Sequence, residues 1–406
     1  MTNCRLCGST DIAPALDLGS MPIAHRMRTR KDETEKRYPF REVLCRACGL
    51  VQIAEPIDPE ELYREFNYCF SGWKPQPHIA DELRMILAET LGPSMLEIGS
   101  NDGLFLKEAR QAGFAPVLGI EPNRVASGYA RDLGLEIVNE MLDPPLAAKL
   151  AGERGRVDVI VVRQVLEHLT RIPDFFRCVD TLLKPGGVLF VDVPDCERGF
   201  AAGDVTMMWE EHVNSFTEMT LETTLGRFDY GVVRRERYNY SGGTIAVAAK
   251  KGALRRKNGD LVAHVANVTG YEERAKAYRA RLRPLLAHAR ANGHAVVLYG
   301  AGNRANTLTN WADLGSLIDY AVDDQPQRHG MFLPGTGIEV KPSAVLAEET
   351  RPFVCLLAVN TENDGVVTAK VMGMARRAAI VFSVLSPKDI MAELDRASAQ
   401  LGLRPA

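Results

Sequence analysis

Two short, matching units constrain this chain more than anything else in it: Cys4-Arg5-Leu6-Cys7-Gly8 and Cys45-Arg46-Ala47-Cys48-Gly49. Each turn aims two thiols at one point, and the glycine that follows lets backbone N–H groups turn toward sulfur. Four thiolates satisfy a tetrahedral zinc ion and leave no open position, so Cys4, Cys7, Cys45 and Cys48 are expected to hold a structural metal. Paired C-x-x-C units argue for metal more than for disulfides in a cytosolic protein. Cys69, Cys178, Cys196 and Cys355 stand singly and read as small buried hydrophobes. The segment to about Phe70 is rich in proline and charge with little helical periodicity, so the metal is what lets it fold.

A length of 406 residues leaves room for two further domains, and 46% apolar against 25% charged residues can bury sizeable cores. A net charge of −3 gives no electrostatic case for nucleic acid or an anionic membrane surface as a partner. No apolar run approaches the roughly 18–20 residues that span a bilayer. The start, Met-Thr-Asn-Cys-Arg, lacks a signal pattern, so a cytoplasmic address is the expectation.

Between 71 and 252, helical stretches alternate with short apolar runs at 94–99, 116–121, 158–163 and 187–193. Bounded by Gly, Pro or Asp, these read as parallel strands buried on both faces, with an antiparallel ending over 231–240 and 243–251. The block 253–406 opens on a helical stretch from Tyr271 to Asn292. Strands follow at 295–302 and 317–324, with a last one at 352–360, a second and smaller β-α-β set.

Glu97-Ile98-Gly99-Ser100-Asn101-Asp102-Gly103 falls between a predicted strand and a helix, where glycines let backbone pass close to a ligand. Glu121 ends the next strand, where a carboxylate can accept both hydroxyls of a ribose. A G-x-G-x-x-G fingerprint is absent here. An acidic residue opening E-x-G-x-x-x-G suits S-adenosylmethionine, which has no pyrophosphate to cradle. Lys184-Pro185-Gly186-Gly187 before a strand is a turn common in class I methyltransferases. Candidate cofactor residues are Glu97, Gly99, Asn101, Asp102, Gly103, Glu121 and Gln164.

Trp209-Glu210-Glu211-His212 sits in the long connection after Asp192-Val193-Pro194, and His168 in VLEHL approaches the same crevice. Two histidines and a carboxylate at a cofactor edge point to proton transfer. Tyr68, Phe70, Trp73 and His78 precede the central fold and read as a lid or as core.

Taken in order, the two knuckles, EIGSNDG, VLEH, an E-H pair and GAGNRANTL…LIDYAVDD…LPGT resemble the deoxysugar C-methyltransferase family over nearly the whole chain. The resemblance implies an α/β protein of three parts. These are a zinc-binding domain at 1–70, a class I Rossmann-like methyltransferase domain at 71–252, and a Rossmann-like domain at 253–406 that closes over the substrate. It implies His212 as catalytic base, Glu211 as its neighbour and His168 as a further active-site histidine. The family's Tyr-x-Glu-His reads Trp209-Glu210-Glu211-His212 here, and its Tyr-x-Tyr lid reads Tyr68-Cys69-Phe70, so one hydroxyl is missing from each. The implied substrate is a small molecule, a nucleotide-linked keto-sugar, methylated on carbon by S-adenosylmethionine. A non-sugar or amino-acid-like substrate is the alternative that the two lost hydroxyls motivate. Gly300-Ala301-Gly302 raises a nicotinamide reading for the third domain, against which the resemblance implies no redox role. Arg304 is a candidate partner for substrate phosphates.

Overall fold

The computed structural model describes residues 3–63, 76–254 and 259–403. After the first knuckle, Ile12–Pro22 pairs antiparallel with Arg37–Cys45, which pairs with Val51–Ile53. Along Arg37–Cys45, exposed Arg37, Pro39 and Arg41 alternate with buried Phe40, Glu42 and Leu44, the two-residue period of a strand with one face in a core. The fourth strand of this sheet, Asn214–Ser215, comes from far along the chain.

Glu42 places a carboxyl in that core, where Ser215 Oγ donates to it at 3.2 Å. Burial pushes its pKa from 4.5 up to about 8. A raised folded value means that its stability contribution is complete below the ordinary value and is lost as pH rises toward about 8. Glu42→Gln should therefore flatten the fall in stability between about pH 6 and 8 by on the order of 2 kcal/mol. Denaturant melts of both proteins across that range check this; parallel pH profiles would refute it.

The central sheet runs Tyr230–Tyr238, Thr244–Lys251, Leu183–Pro194, Val157–Arg163, Met95–Ile98, Val117–Ile120, Glu136–Val138 in spatial order. Thr244–Lys251 alone is antiparallel to its neighbours. Helices Leu104–Gln111, Arg124–Asp132, Pro144–Arg154 and Ile172–Leu182 connect the parallel strands. The expected α/β class I architecture is what forms. Glu136–Val138 went unread because three residues beside a helix end carry no periodicity.

The third sheet is wholly parallel: Val340–Pro342, Tyr320–Asp323, Ala295–Tyr299, Phe353–Leu357, Ala379–Ser383. The run at 352–360 is thus not the last strand. Ala379–Ser383, an apolar and largely buried run that the sequence reading passed over, follows it and forms the sheet edge. The helical stretch read from Tyr271 forms as Tyr271–Ala291 and packs against the first-domain hairpin and the third sheet. Among the described residues no helix is long and apolar enough to cross a membrane.

Candidate functional site

The four knuckle sulfurs converge. Cys4 Sγ lies 3.5 Å from Cys48 Sγ, Cys7 Sγ lies 3.5 Å from Cys45 Sγ, and all four fall within 4.8 Å of one another. Zinc–sulfur bonds of about 2.3 Å in a tetrahedron set sulfurs roughly 3.8 Å apart, so the set fits that ion with small adjustments. The shared hydrogen bond lowers the pKa of the Cys4 thiol and raises that of Cys48, so without an ion the pair shares a proton that metal binding would displace. Gly8 and Gly49 adopt φ of 74° and 82°, the left-handed geometry that closes each knuckle. Arg5, inside the first knuckle, donates to Val213 O at 3.1 Å and also to Ile53 O. The metal module is therefore fastened to the residue that follows His212.

A cleft of about 360 Å³ opens where the central strands end, lined by Glu97, Gly99, Ser100, Asn101, Asp102 and Gln164 together with Gln76, Phe105, Arg163 and Tyr240. Gly99 has φ 75°, and a Cβ there would meet Val165 Cγ2 at 2.4 Å, so only glycine lets the turn lie this close to the next loop. Gly103 and Glu121 stand behind this wall. Gly103 begins the helix Leu104–Gln111. Glu121 accepts from Asn101 N at 2.8 Å and from Asn123 N at 2.7 Å, which shapes the turn and leaves each oxygen a second lone pair. Glu97 is buried, its carboxyl is raised to about 8 by burial, and its Oε2 has no hydrogen-bonding partner among the described residues; neither has Ser100 Oγ. Buried orphans of this kind ask for a bound polar group, and an ammonium, which S-adenosylmethionine carries, fits them.

Beneath the cleft, Arg163 Nε lies 2.9 Å from Glu82 Oε2 and 3.7 Å from Asp192 Oδ2, and its guanidinium sits over the Phe105 ring. Asp192 also accepts from Gln164 N at 2.8 Å. Sequence reasoning passed over Glu82, Arg163 and Asp192. The available signal was a charge inside otherwise apolar runs, DVIVVR and LFVDVP.

His168, four residues beyond Gln164, meets His212 edge to face with ring centroids 5.0 Å apart. Trp209 lies against His212 with centroids at 3.8 Å. His168 Nδ1 donates to the Glu211 carbonyl at 2.8 Å, so the neutral ring carries its lone pair on Nε2. Burial lowers the pKa of both imidazoles, and that of His212 well below 6.5, with His168 and Arg304 adding to the fall. Both are neutral at pH 7, the form a base needs. The Glu211 carboxylate accepts from Trp209 Nε1 at 3.3 Å and sits 2.6 Å from His25 Nδ1. His25 comes from the metal-binding segment, and no local pattern around it signals that role. Glu210 accepts from Ala24 N at 2.7 Å and is raised to about 8 by burial and then by Glu211.

Tyr68, Phe70 and Trp73 lie outside the described residues. His78 is core, buried with its ring against Tyr238 and Tyr240. Arg304 is not poised for a phosphate: it is buried and bound to Asp204 at 3.1 Å, to Thr206 Oγ1 at 3.1 Å and to Ser386 O at 3.2 Å. Asp323, at the end of the next strand, accepts from Ala301 N at 2.8 Å and from Arg328 at 2.9 Å, so its carboxylate is engaged by the GAG turn and the loop that follows.

Three family profiles match in series: a zinc-binding domain at 4–63, a methyltransferase domain at 73–235, and a C-methyltransferase C-terminal domain at 240–384. C-methyltransferase NovU of Streptomyces niveus is 27% identical over 379 residues, covering 88% of this chain and 89% of the relative. A ubiquinone biosynthesis O-methyltransferase of Caulobacter vibrioides is 34% identical over 105 residues, 25% of this chain and 40% of the relative. Among solved structures, an S-adenosylmethionine-dependent methyltransferase of Mesorhizobium loti matches 42% of this chain and 96% of its own at 18% identity, with a TM-score of 0.35.

Proposed function

Because the chain belongs to the three-domain, S-adenosylmethionine-dependent C-methyltransferases, we propose that its substrate is a nucleotide-linked keto-deoxysugar, methylated on a carbon beside the ketone. The observation that carries this reading is the edge-to-face pair of histidines, His212 buried and His168 partly so, both with lowered pKa, on loops at the carboxyl edge of the cofactor sheet. A hydrogen beside a ketone is acidic enough for a positioned base, and imidazole suits the task near neutral pH. His212 takes that proton, and Glu211, held by Trp209 and His25, anchors the loop through its main-chain bond to His168. Burial of the site keeps water from competing for the carbanion and aligns carbon with the incoming methyl. When bound, S-adenosylmethionine supplies an electrophilic methyl group.

Domains at 1–70, 71–252 and 253–406 are part of the same proposal, as are Tyr68 and Trp209 as groups on the substrate side. Trp209 keeps a donor where the family has a tyrosine hydroxyl, but spends it on Glu211. The deciding experiment incubates the protein with labelled S-adenosylmethionine and a panel of keto-sugar nucleotides, with mass detection of a methylated product. Label in amino-acid-like acceptors and in no sugar nucleotide would replace the substrate class.

Glu121 is proposed to hold the cofactor ribose through its remaining lone pairs. Glu121→Ala should weaken S-adenosylmethionine binding by about 1–3 kcal/mol, the loss of a charged hydrogen-bonding partner. Calorimetry reads the change, and unchanged affinity would move the ribose elsewhere.

A further inference from the structure

Glu167 is a buried acid in this site that the proposed chemistry leaves without a task. Only 1% of it is exposed, and no other residue among the described ones hydrogen-bonds to either carboxyl oxygen. A buried carboxyl in that condition is costly unless a ligand satisfies it. One donor atom each from Glu167, His168 and His212 lie within 4.8 Å of one another. His168 already has the outer bond of a metal-bound imidazole: Nδ1–H donates to the Glu211 carbonyl at 2.8 Å, which fixes the tautomer and puts the lone pair on Nε2. Two imidazoles and one carboxylate suit a borderline divalent ion such as zinc or cobalt, whereas calcium and magnesium favour all-oxygen shells.

We infer that Glu167, His168 and His212 form a second, exchangeable site for a borderline divalent ion, and that the ion silences the enzyme. The silencing rests on the reading of His212 as the base, because an ion that holds the imidazole lone pair leaves none to take a proton from carbon. Coordination is a reversible ligand exchange in which the Glu167 carboxyl proton is released to solvent. No electron transfer or co-reactant is involved. The four-thiolate centre is filled separately and serves the fold, so excess ion acts at the histidines alone.

The test titrates the intact, zinc-loaded protein with cobalt(II). One additional cobalt per chain is expected, with ligand-field absorption and no thiolate-to-cobalt charge transfer. Turnover should fall in step with occupancy and return when a weak chelator removes the cobalt. Glu167→Gln, nearly isosteric, should weaken cobalt binding by about tenfold or more and shift the inhibition curve by the same factor. Should that variant not fold, His168→Asn gives the same optical readout. Failure to take up a second cobalt, or uptake equal in wild type and variant, overturns the site. Uptake lost in His25→Asn but kept in Glu167→Gln places the ion on the neighbouring His25, Glu210 and Glu211 group and overturns it equally. Cobalt held by Glu167 with turnover intact overturns the silencing and the assignment of His212 as base, while the metal site itself stands.

Discussion

Replacing His212 with Gln should lower turnover by about 10²–10⁴, the usual cost of losing a general base. Cofactor affinity and folding should be retained, since the ring packs against Trp209 and His168 and, among the described residues, makes no side-chain hydrogen bond to the cleft. Hydrogen–deuterium exchange at the substrate carbon, followed without a methyl donor, isolates the proton step from methyl transfer. It should vanish with turnover. A structural histidine would instead cost stability with little specific effect on exchange. Near-wild-type exchange in the variant assigns the base to another residue. The same burial sets the pH profile of the normal enzyme. His212 is held neutral to well below 6.5, so its base form persists as pH falls through the ordinary imidazole value. The acid limb of turnover should therefore lie below 6.5, and an inflection above it would contradict the assignment.

Losing one knuckle thiol should have the largest effect on the fold. Structural zinc contributes about 10–16 kcal/mol in small zinc modules, which matches or exceeds the roughly 5–15 kcal/mol that keeps a typical protein folded. Cys45→Ser should lose its near-stoichiometric zinc and unfold the four-stranded sheet. The damage should also travel. Val51–Ile53 pairs with Asn214–Ser215, and Arg5 binds Val213 O, so the loop carrying His212 loses its support. Amide exchange at Asn214 and Ser215 should accelerate together with that at Val51 and Gln52, and turnover should fall with it. Zinc analysis with exchange measured by mass spectrometry checks both halves. A metal-free chain that keeps protection at Asn214 would separate the module from the site.

What could be read from the residues was whatever depends on local spacing. Cys4-Arg5-Leu6-Cys7-Gly8 and its repeat announce a metal because two thiols three apart reach one ion from a single turn. Glu97 to Gly103 announces a ligand because glycines between strand and helix leave room for one. The parallel strands are legible because burial on both faces makes their runs apolar throughout. Three-residue strands such as Glu136–Val138 are not, since they are too short to show a period.

The site was decided by tertiary structure, because its groups come from segments with no local relation. His25 reaches Glu211 from the zinc segment, and Asn214 Nδ2 donates to Leu169 O at 2.8 Å, joining the two histidine loops. From the third domain, Arg304 binds Asp204 and Thr307 Oγ1 donates to Met208 O at 2.9 Å. Residues 204–215 are thus held by all three parts of the chain at once. A charged residue's partner and its protonation follow from who packs beside it and how much water is excluded. Glu167, Arg304 and His212 stand in the sequence as titratable or charged side chains; only the packed structure shows that no other described residue bonds the first, that the second is a clamp, and that burial lowers the pKa of the third.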